Sequence, residues 1–262
     1  MGDVRAIGID IGGTGIKGAI VDVEAGELVS DRVKVATPAG GEPKDILDAT
    51  RDLLGTLGHD GEIPIGVCFP AIVHHGRTMS AANISDEWIG LPAEAMFEQE
   101  LGVPIHFIND ADAAGYAESR YGAARGERGL VIMTTLGTGI GSALIYDGVL
   151  IPNSELGHLE IDGKDAEHRA AYSAMERKEL SWEHWAKRLQ RYYSHVEFLF
   201  SPDLFIVGGG VSKKHEHFLP LLDLQTRIVP AVHRNNAGIL GAAAMAVEYG
   251  TEWAAGAGPS DD

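Results

Sequence analysis

Apolar residues run almost unbroken from Val4 to Ile11, stop at the glycine-rich stretch Gly12–Gly15, and resume from Ile16 to Val23. That pattern predicts two buried strands joined by a tight turn. Glu24–Glu27 reads as a second turn and Leu28–Val35 as a third strand. From Pro43 to Leu57 the spacing becomes helical, with Ile46, Leu47, Leu53, Leu54 and Leu57 on one face. Ile65–Phe69 predicts a strand. Pro92 opens a helix that ends near Leu101, before Gly102. Ile105–Ile108 is a strand that runs into a helix over Ala111–Tyr121, stopped at Gly122.

The pattern then restarts. Gly129–Thr135 and Ser142–Tyr146 read as strands around a Gly137–Gly141 turn, and Asp147-Gly148 marks a hairpin. Ser181–Phe200 predicts a long helix capped by Ser181, with Trp182, Trp185, Leu189, Tyr193, Val196 and Phe200 on one face. Leu204–Val207 is a strand that enters Gly208-Gly209-Gly210, and an Ala-rich helix begins at Ala237. Gly13-Thr14-Gly15-Ile16 recurs letter for letter as Gly137-Thr138-Gly139-Ile140 in the same strand–turn–strand setting. Such a repeat implies two similar α/β lobes, each offering a glycine-rich hairpin to a shared cleft. Residues 1–109 form the smaller lobe, with the helix at 237–249 packing back on it, and 110–236 form the larger. The segment 251–262 reads as a flexible tail.

Charge narrows the function classes. The chain has 21 Lys and Arg against 38 Asp and Glu, a net charge of −17, which argues against a general nucleic-acid binder. Its 1 cysteine, Cys68, excludes a disulfide framework and a thiolate zinc cluster. No apolar run approaches membrane-spanning length, and the start lacks a signal-like pattern, so a cytoplasmic protein without a membrane partner is the expectation.

The candidate chemistry begins at Asp10-Ile-Gly12-Gly13-Thr14-Gly15-Ile-Lys17. Glycines let backbone N–H groups approach a phosphate, Thr14 can donate, Lys17 brings positive charge, and Asp10 can orient a hydrated Mg²⁺. The same letters satisfy a dinucleotide fingerprint, but that motif opens a helix, and a strand follows here. A hairpin that merely needs glycine would leave the second copy unexplained. Gly137, Thr138 and Gly139 form the second candidate phosphate loop, and Gly208, Gly209 and Gly210 with Lys213 a third. Asn109-Asp110 stands where a strand meets a helix. Asp110 suits a general base there, and Asp110 or Asp112 equally suits a helix cap; locally both readings stand. Glu155, His158 and Glu167 are suited to the donors and acceptors of sugar hydroxyls.

Together, Asp10–Lys17, Asn109-Asp-Ala-Asp-Ala113, Leu136-Gly-Thr-Gly139, Glu155-Leu-Gly-His158 and Asn235–Ala243 resemble the ROK family of sugar kinases over nearly the whole chain. Phe205–Lys214 and Ser80-Ala-Ala-Asn83 resemble that family's polyphosphate-using glucokinases. The resemblance implies an α/β, actin-like (ribonuclease H-like) two-lobe fold with a central cleft and a homodimer. It implies glucose as acceptor, polyphosphate or ATP as donor, Mg²⁺ as cofactor, and Asp110 as base on the 6-hydroxyl. Asn83, Asn109, Glu155, His158 and Glu167 would surround the sugar. Many relatives carry a cysteine-rich zinc motif after the Glu-x-Gly-His segment; Leu159–Glu179 holds no cysteine, so no zinc is expected.

A polyanion needs a local positive path rather than a positive protein. Lys164, Arg169, Lys213, Lys214, His215 and Arg234 are the candidates. Two other classes fit these residues less well. A sugar-sensing repressor would need a DNA-binding segment ahead of the first strand, and none is expected here. A filament protein would not need the sugar-facing residues. An ATP-dependent glucokinase or an amino-sugar kinase is not separated by these motifs.

Overall fold

The computed structural model describes residues 4–59 and 61–254. The chain divides into two compact units, Met1–Ala117 with Gly238–Asp262, and Glu118–Ala237.

Unit 1 opens with the antiparallel hairpin β1 (Arg5–Gly12) and β2 (Gly15–Asp22), followed by β3 (Glu27–Leu28) and β4 (Val33–Val35), both paired to β2. The single third strand expected over Leu28–Val35 is therefore two short ones. The Ser30 hydroxyl accepts the Ile20 N–H at 2.9 Å, a side chain standing where a ladder carbonyl would be. Next come α1 (Pro43–Thr56), β5 (Ile65–Phe69), the ribbon β6 (Val73–His74) and β7 (Arg77–Thr78), α2 (Ala93–Leu101), β8 (His106–Asn109) and α3 (Asp110–Tyr121). The sheet order is β3-β2-β1-β5-β8, with β5 parallel to both neighbours. All five residues of β5 are buried, as a central parallel strand requires. Phe69, Trp88, Phe97 and Phe107 form an aromatic core beneath it; Phe69 and Trp88 meet edge to face at 4.7 Å.

Unit 2 contains β9 (Leu130–Leu136), β10 (Ile140–Tyr146), β11 (Val149–Ile151), the ribbon β12 (Glu160–Ile161) and β13 (Lys164–Asp165), α4 (Glu167–Ala170) and α5 (Tyr172–Arg177). It continues with α6 (Trp182–Phe200), β14 (Leu204–Gly208) and β15 (Arg227–Pro230). Its sheet order is β11-β10-β9-β14-β15, with β14 parallel to β9 and β15. An antiparallel hairpin beside parallel strands thus appears in both units, as the sequence repeat implied. Ser181 caps α6 by accepting the His184 N–H. The buried face carries Trp185, Leu189, Tyr192, Tyr193 and Val196, whereas Phe200, expected inside, is exposed on the last turn.

The final helix, α7 (Ala237–Ala254), lies against unit 1, with the Ile239 carbonyl on Gly8 and the Ala242 carbonyl on Gly66. Residues 251–254, expected in the tail, continue this helix, and 255–262 lie outside the described residues. The division between units falls inside α3 rather than at Asp110. The Ala113 carbonyl packs on Gly241 of α7, while Glu118 accepts the N–H groups of Ala123, Val232 and His233, so the helix is held by different partners at its two ends. Among the described residues, no helix is long and apolar enough to cross a membrane.

Candidate active site

In unit 1 the β1–β2 hairpin sets Gly12 opposite Gly15 and leaves Gly13 and Thr14 exposed at its tip. Two residues back along each strand, Asp10 faces Lys17, and the Lys17 ammonium meets the Asp10 carboxylate at 2.9 Å. The other Asp10 oxygen lies 3.8 Å from the Cys68 thiol. Burial foremost, then Asp10 and Asp110, push that thiol well above its ordinary range, so both carboxylates bear on one buried atom. Gly238, in the first turn of α7, also packs on Asp10 and Cys68. Asn83, in a left-handed conformation (φ 63°), sits directly on Gly13.

At the start of α3 the capping contacts come from Asn109. Its amide oxygen accepts the N–H groups of Ala111 at 2.8 Å and Asp112 at 3.0 Å, and its amide nitrogen donates to the Ala71 carbonyl at 2.9 Å. Asn109 is the cap, worth about 1 kcal/mol. Asp110 sits half-buried in the first turn, and one of its oxygens lies 2.8 Å from the Ala111 nitrogen.

In unit 2 the Gly137–Gly139 loop closes on itself through the Gly137 N–H to the Gly139 carbonyl, 3.0 Å. Two side chains from outside hold it. Glu167 accepts the Ile140 N–H at 3.0 Å, and the Ser173 hydroxyl donates to the Thr138 carbonyl at 2.6 Å. The third glycine run abuts the same loop. Gly209 has φ 79°, and a Cβ there would stand 2.4 Å from the Leu136 carbonyl oxygen, so only glycine fits. Lys213, expected on the phosphate, is exposed on the 3₁₀ turn Gly210–His217, and Lys214 lies over the Trp182 ring at 5.8 Å.

Glu155, His158 and Glu167 form one electrostatic cluster. Burial foremost raises the Glu155 carboxyl above its ordinary range; His158 opposes that and Glu167 adds to it. A hydrogen bond to Asp165, 3.1 Å from Nδ1, is the main cause lifting the His158 imidazole above its ordinary 6.5. Gly157, between them, lies so near the Ile140 backbone that a Cβ would stand 2.2 Å from its carbonyl oxygen. The glycine of Glu-x-Gly-His is what lets that turn seat against β10. Asp165 is the residue that sequence reasoning missed. It follows from the β12–β13 ribbon, which pairs Glu160 with Asp165, and nothing in its spacing announces a histidine partner. Among the described residues, no group of 3 or more His, Cys, Asp or Glu side chains is arranged to hold a metal by itself.

Residues 6–170 match the ROK family. A polyphosphate glucokinase of Mycobacterium tuberculosis is 47% identical over 244 residues, which span 93% of this chain and 91% of that protein. The polyphosphate glucokinase of Mycobacterium leprae is 46% identical over 240 residues, 91% of this chain and 74% of its own. Among solved structures, an inorganic polyphosphate/ATP-glucomannokinase from Arthrobacter sp. strain KM superposes with a TM-score of 0.89 at 53% identity, covering 95% of this chain and 99% of that one. A ROK family glucokinase from Streptomyces griseus, in complex with glucose and AMPPNP, gives 0.78 at 26% identity, covering 93% and 99%. The actin-like α/β fold expected from the motifs is the fold of these proteins. On the family match and on identity across nearly its whole length, this chain belongs to the ROK family.

Proposed function

We propose that this chain transfers the terminal phosphoryl group of inorganic polyphosphate, and also of ATP, to the 6-hydroxyl of glucose. The observation that carries this reading is the 47% identity, over 93% of the chain, to a protein that is a polyphosphate glucokinase. In the reaction a bond forms between sugar O6 and phosphorus, the phosphorus–oxygen bond to the donor breaks, and the hydroxyl proton passes to Asp110. Because Asn109 caps α3, Asp110 is not needed as the cap, and its carboxylate is the proposed base. Phosphoryl transfer asks little more of a base, since most of the catalysis is positioning and charge stabilisation. Asn83, Asn109, Glu155, His158 and Glu167 are proposed to hold the other hydroxyls. Gly12–Gly15 with Lys17, and the loops at 137–139 and 208–210 with Lys213, are proposed to hold phosphates.

Mg²⁺ fits this donor set. Asp10 and Asp110 are hard oxygen ligands, and Mg²⁺ characteristically takes one or two carboxylates plus substrate phosphates and water. Asp10 would hold the ion, which when bound neutralises charge on the phosphates. Lys17 would then exchange its contact with Asp10 for one with phosphate.

The 53% identity to a glucomannokinase favours mannose as a second acceptor. In the same reading the enzyme is a homodimer in the cytoplasm. The test is formation of hexose 6-phosphate with Mg²⁺, comparing polyphosphate with ATP and glucose with mannose. Turnover with polyphosphate is the expected result. Turnover with ATP alone would remove the donor assignment, and no turnover with either would remove the kinase.

A further inference from the structure

Unit 2 holds a cavity of about 780 Å³ lined by Lys164, His168, Arg169, Lys178 and Arg188, with Asp162 and Asp165 on its wall. The proposed sugar and phosphate contacts use neither lysine and neither arginine. In a chain of net charge −17, a third of the 21 Lys and Arg residues fall between 164 and 191. The acids of the wall are already engaged. Asp162 meets Arg191 at 3.0 Å and Arg169 at 3.4 Å, and Asp165 meets His158 at 3.1 Å. Arg188 donates to the Arg169 carbonyl at 3.2 Å. Among the described residues, no carboxylate pairs with Lys164 or Lys178. Arg188 foremost, then desolvation, Arg177, Lys164 and Arg169, hold the Lys178 ammonium below its ordinary range. Like charges crowded this way are relieved by an anion.

The position of the cavity says which anion. Helix α5 starts on the second glycine loop: the Ser173 N–H donates to the Gly137 carbonyl at 3.0 Å and its hydroxyl to the Thr138 carbonyl at 2.6 Å. It ends at Arg177, beside Lys178. Six helical residues rise about 9 Å, so the cavity lies within a few phosphate units of the loop. A nucleotide leaves its phosphates behind over that distance and continues as a neutral sugar and base. An inorganic chain continues as an anion.

We propose that this cavity seats the distal phosphates of a polyphosphate donor whose terminal group lies at the Gly137–Gly139 loop. This rests on the function proposed above. Polyphosphate then gains a contact that ATP does not have, and its binding releases counterions and weakens with salt.

The experiment compares wild type with Lys178→Glu, Lys164→Glu and the charge-conserving Lys178→Arg. It measures kcat/KM for long-chain polyphosphate and for ATP over a range of NaCl, together with melting temperature. The ratio of polyphosphate to ATP kcat/KM is expected to fall at least tenfold in each Glu variant, with a shallower salt slope for polyphosphate, and to stay within about threefold of wild type in Lys178→Arg. Equal losses with both donors, or an unchanged ratio in both Glu variants, would overturn the cavity while leaving the kinase reading intact. A wild type that uses ATP but not polyphosphate would overturn the donor assignment first and this inference with it.

Discussion

The two copies of Gly-Thr-Gly-Ile spell the same letters and build different turns. In unit 1, Gly12 pairs with Gly15, so Gly13 and Thr14 alone form the loop; in unit 2, Leu136 pairs with Ile140, and three residues form it. Their surroundings differ more. Behind the first loop lies the charged pair Asp10–Lys17. At the matching place in the second, Thr134 faces Ser142, and the Thr134 hydroxyl bonds the buried Tyr193 hydroxyl at 2.6 Å. The first hairpin carries charge to its loop. The second presents backbone groups and borrows its carboxylate, Glu167, from another element. The same letters are thus divided between a charged setting in unit 1 and a neutral one in unit 2. The letters cannot report that division, because it depends on what packs behind them.

The strongest way to break this comparison is at the charges of unit 1. Asp110→Asn is expected to lower kcat by about 10²–10⁴ while glucose affinity measured by calorimetry changes little. A near-normal kcat would remove the base assignment. Asp10→Asn, which leaves Lys17 with a neutral partner, is expected to cost about 10- to 100-fold in kcat/KM for either donor, the scale of a charge-assisted contact. If the Mg²⁺ dependence of the rate were unchanged in that variant, Asp10 would not be the ion's ligand.

Unit 2 predicts a smaller effect with a structural component. Glu167→Ala leaves the Ile140 N–H without its acceptor, costing about 1–3 kcal/mol and lowering Tm by several degrees. Ser142→Ala serves as a comparison, since it removes β10 hydrogen bonds to the Ser154 carbonyl at 2.8 Å and from the Leu156 N–H at 2.9 Å but does not touch the Gly137–Gly139 loop. A larger loss of donor kcat/KM in Glu167→Ala than in Ser142→Ala is expected, and equal losses would reduce Glu167 to a fold brace.

The smallest expected effect is a pH dependence. His158 has its folded value raised above 6.5, chiefly by Asp165. The stability that the charged ring contributes is therefore fully present below the unfolded value and lost as pH rises through the raised folded one. Asp165→Asn should flatten that slope and move the His158 resonance titration, followed by NMR, to lower pH. An unmoved titration would mean that Asp165 does not govern the imidazole.

Much of this site was legible beforehand because its residues are local. Asp10 to Lys17 lie on one hairpin, Glu155 to His158 on one turn, and Asn109-Asp110 at one strand–helix junction; turn chemistry and alternation alone place them. Residues that reach across the chain were harder to find. Asp165 meets His158 only because a two-strand ribbon folds it back, and Glu167, singled out for sugar hydroxyls, shows its bond to the Ile140 N–H only in the folded chain. Phe200 follows the helical period of α6 and is nevertheless exposed, because periodicity gives the face of a helix and not where its packing partner ends.

The amino-acid sequence by itself determined the repeat, the α/β class, the main buried strands and the glycine loops, because these follow from side-chain period and backbone permissiveness within short windows. Only the tertiary structure decided that Asn109 rather than Asp110 caps α3, that Asp10 lies 3.8 Å from the buried Cys68 thiol, and that lysines and arginines scattered from 164 to 188 line one cavity. The first rests on the Asn109 amide meeting the Ala71 carbonyl, and the others on segments that no short window of sequence spans. They are fixed when the packed cores set the elements against one another, and no local preference encodes them.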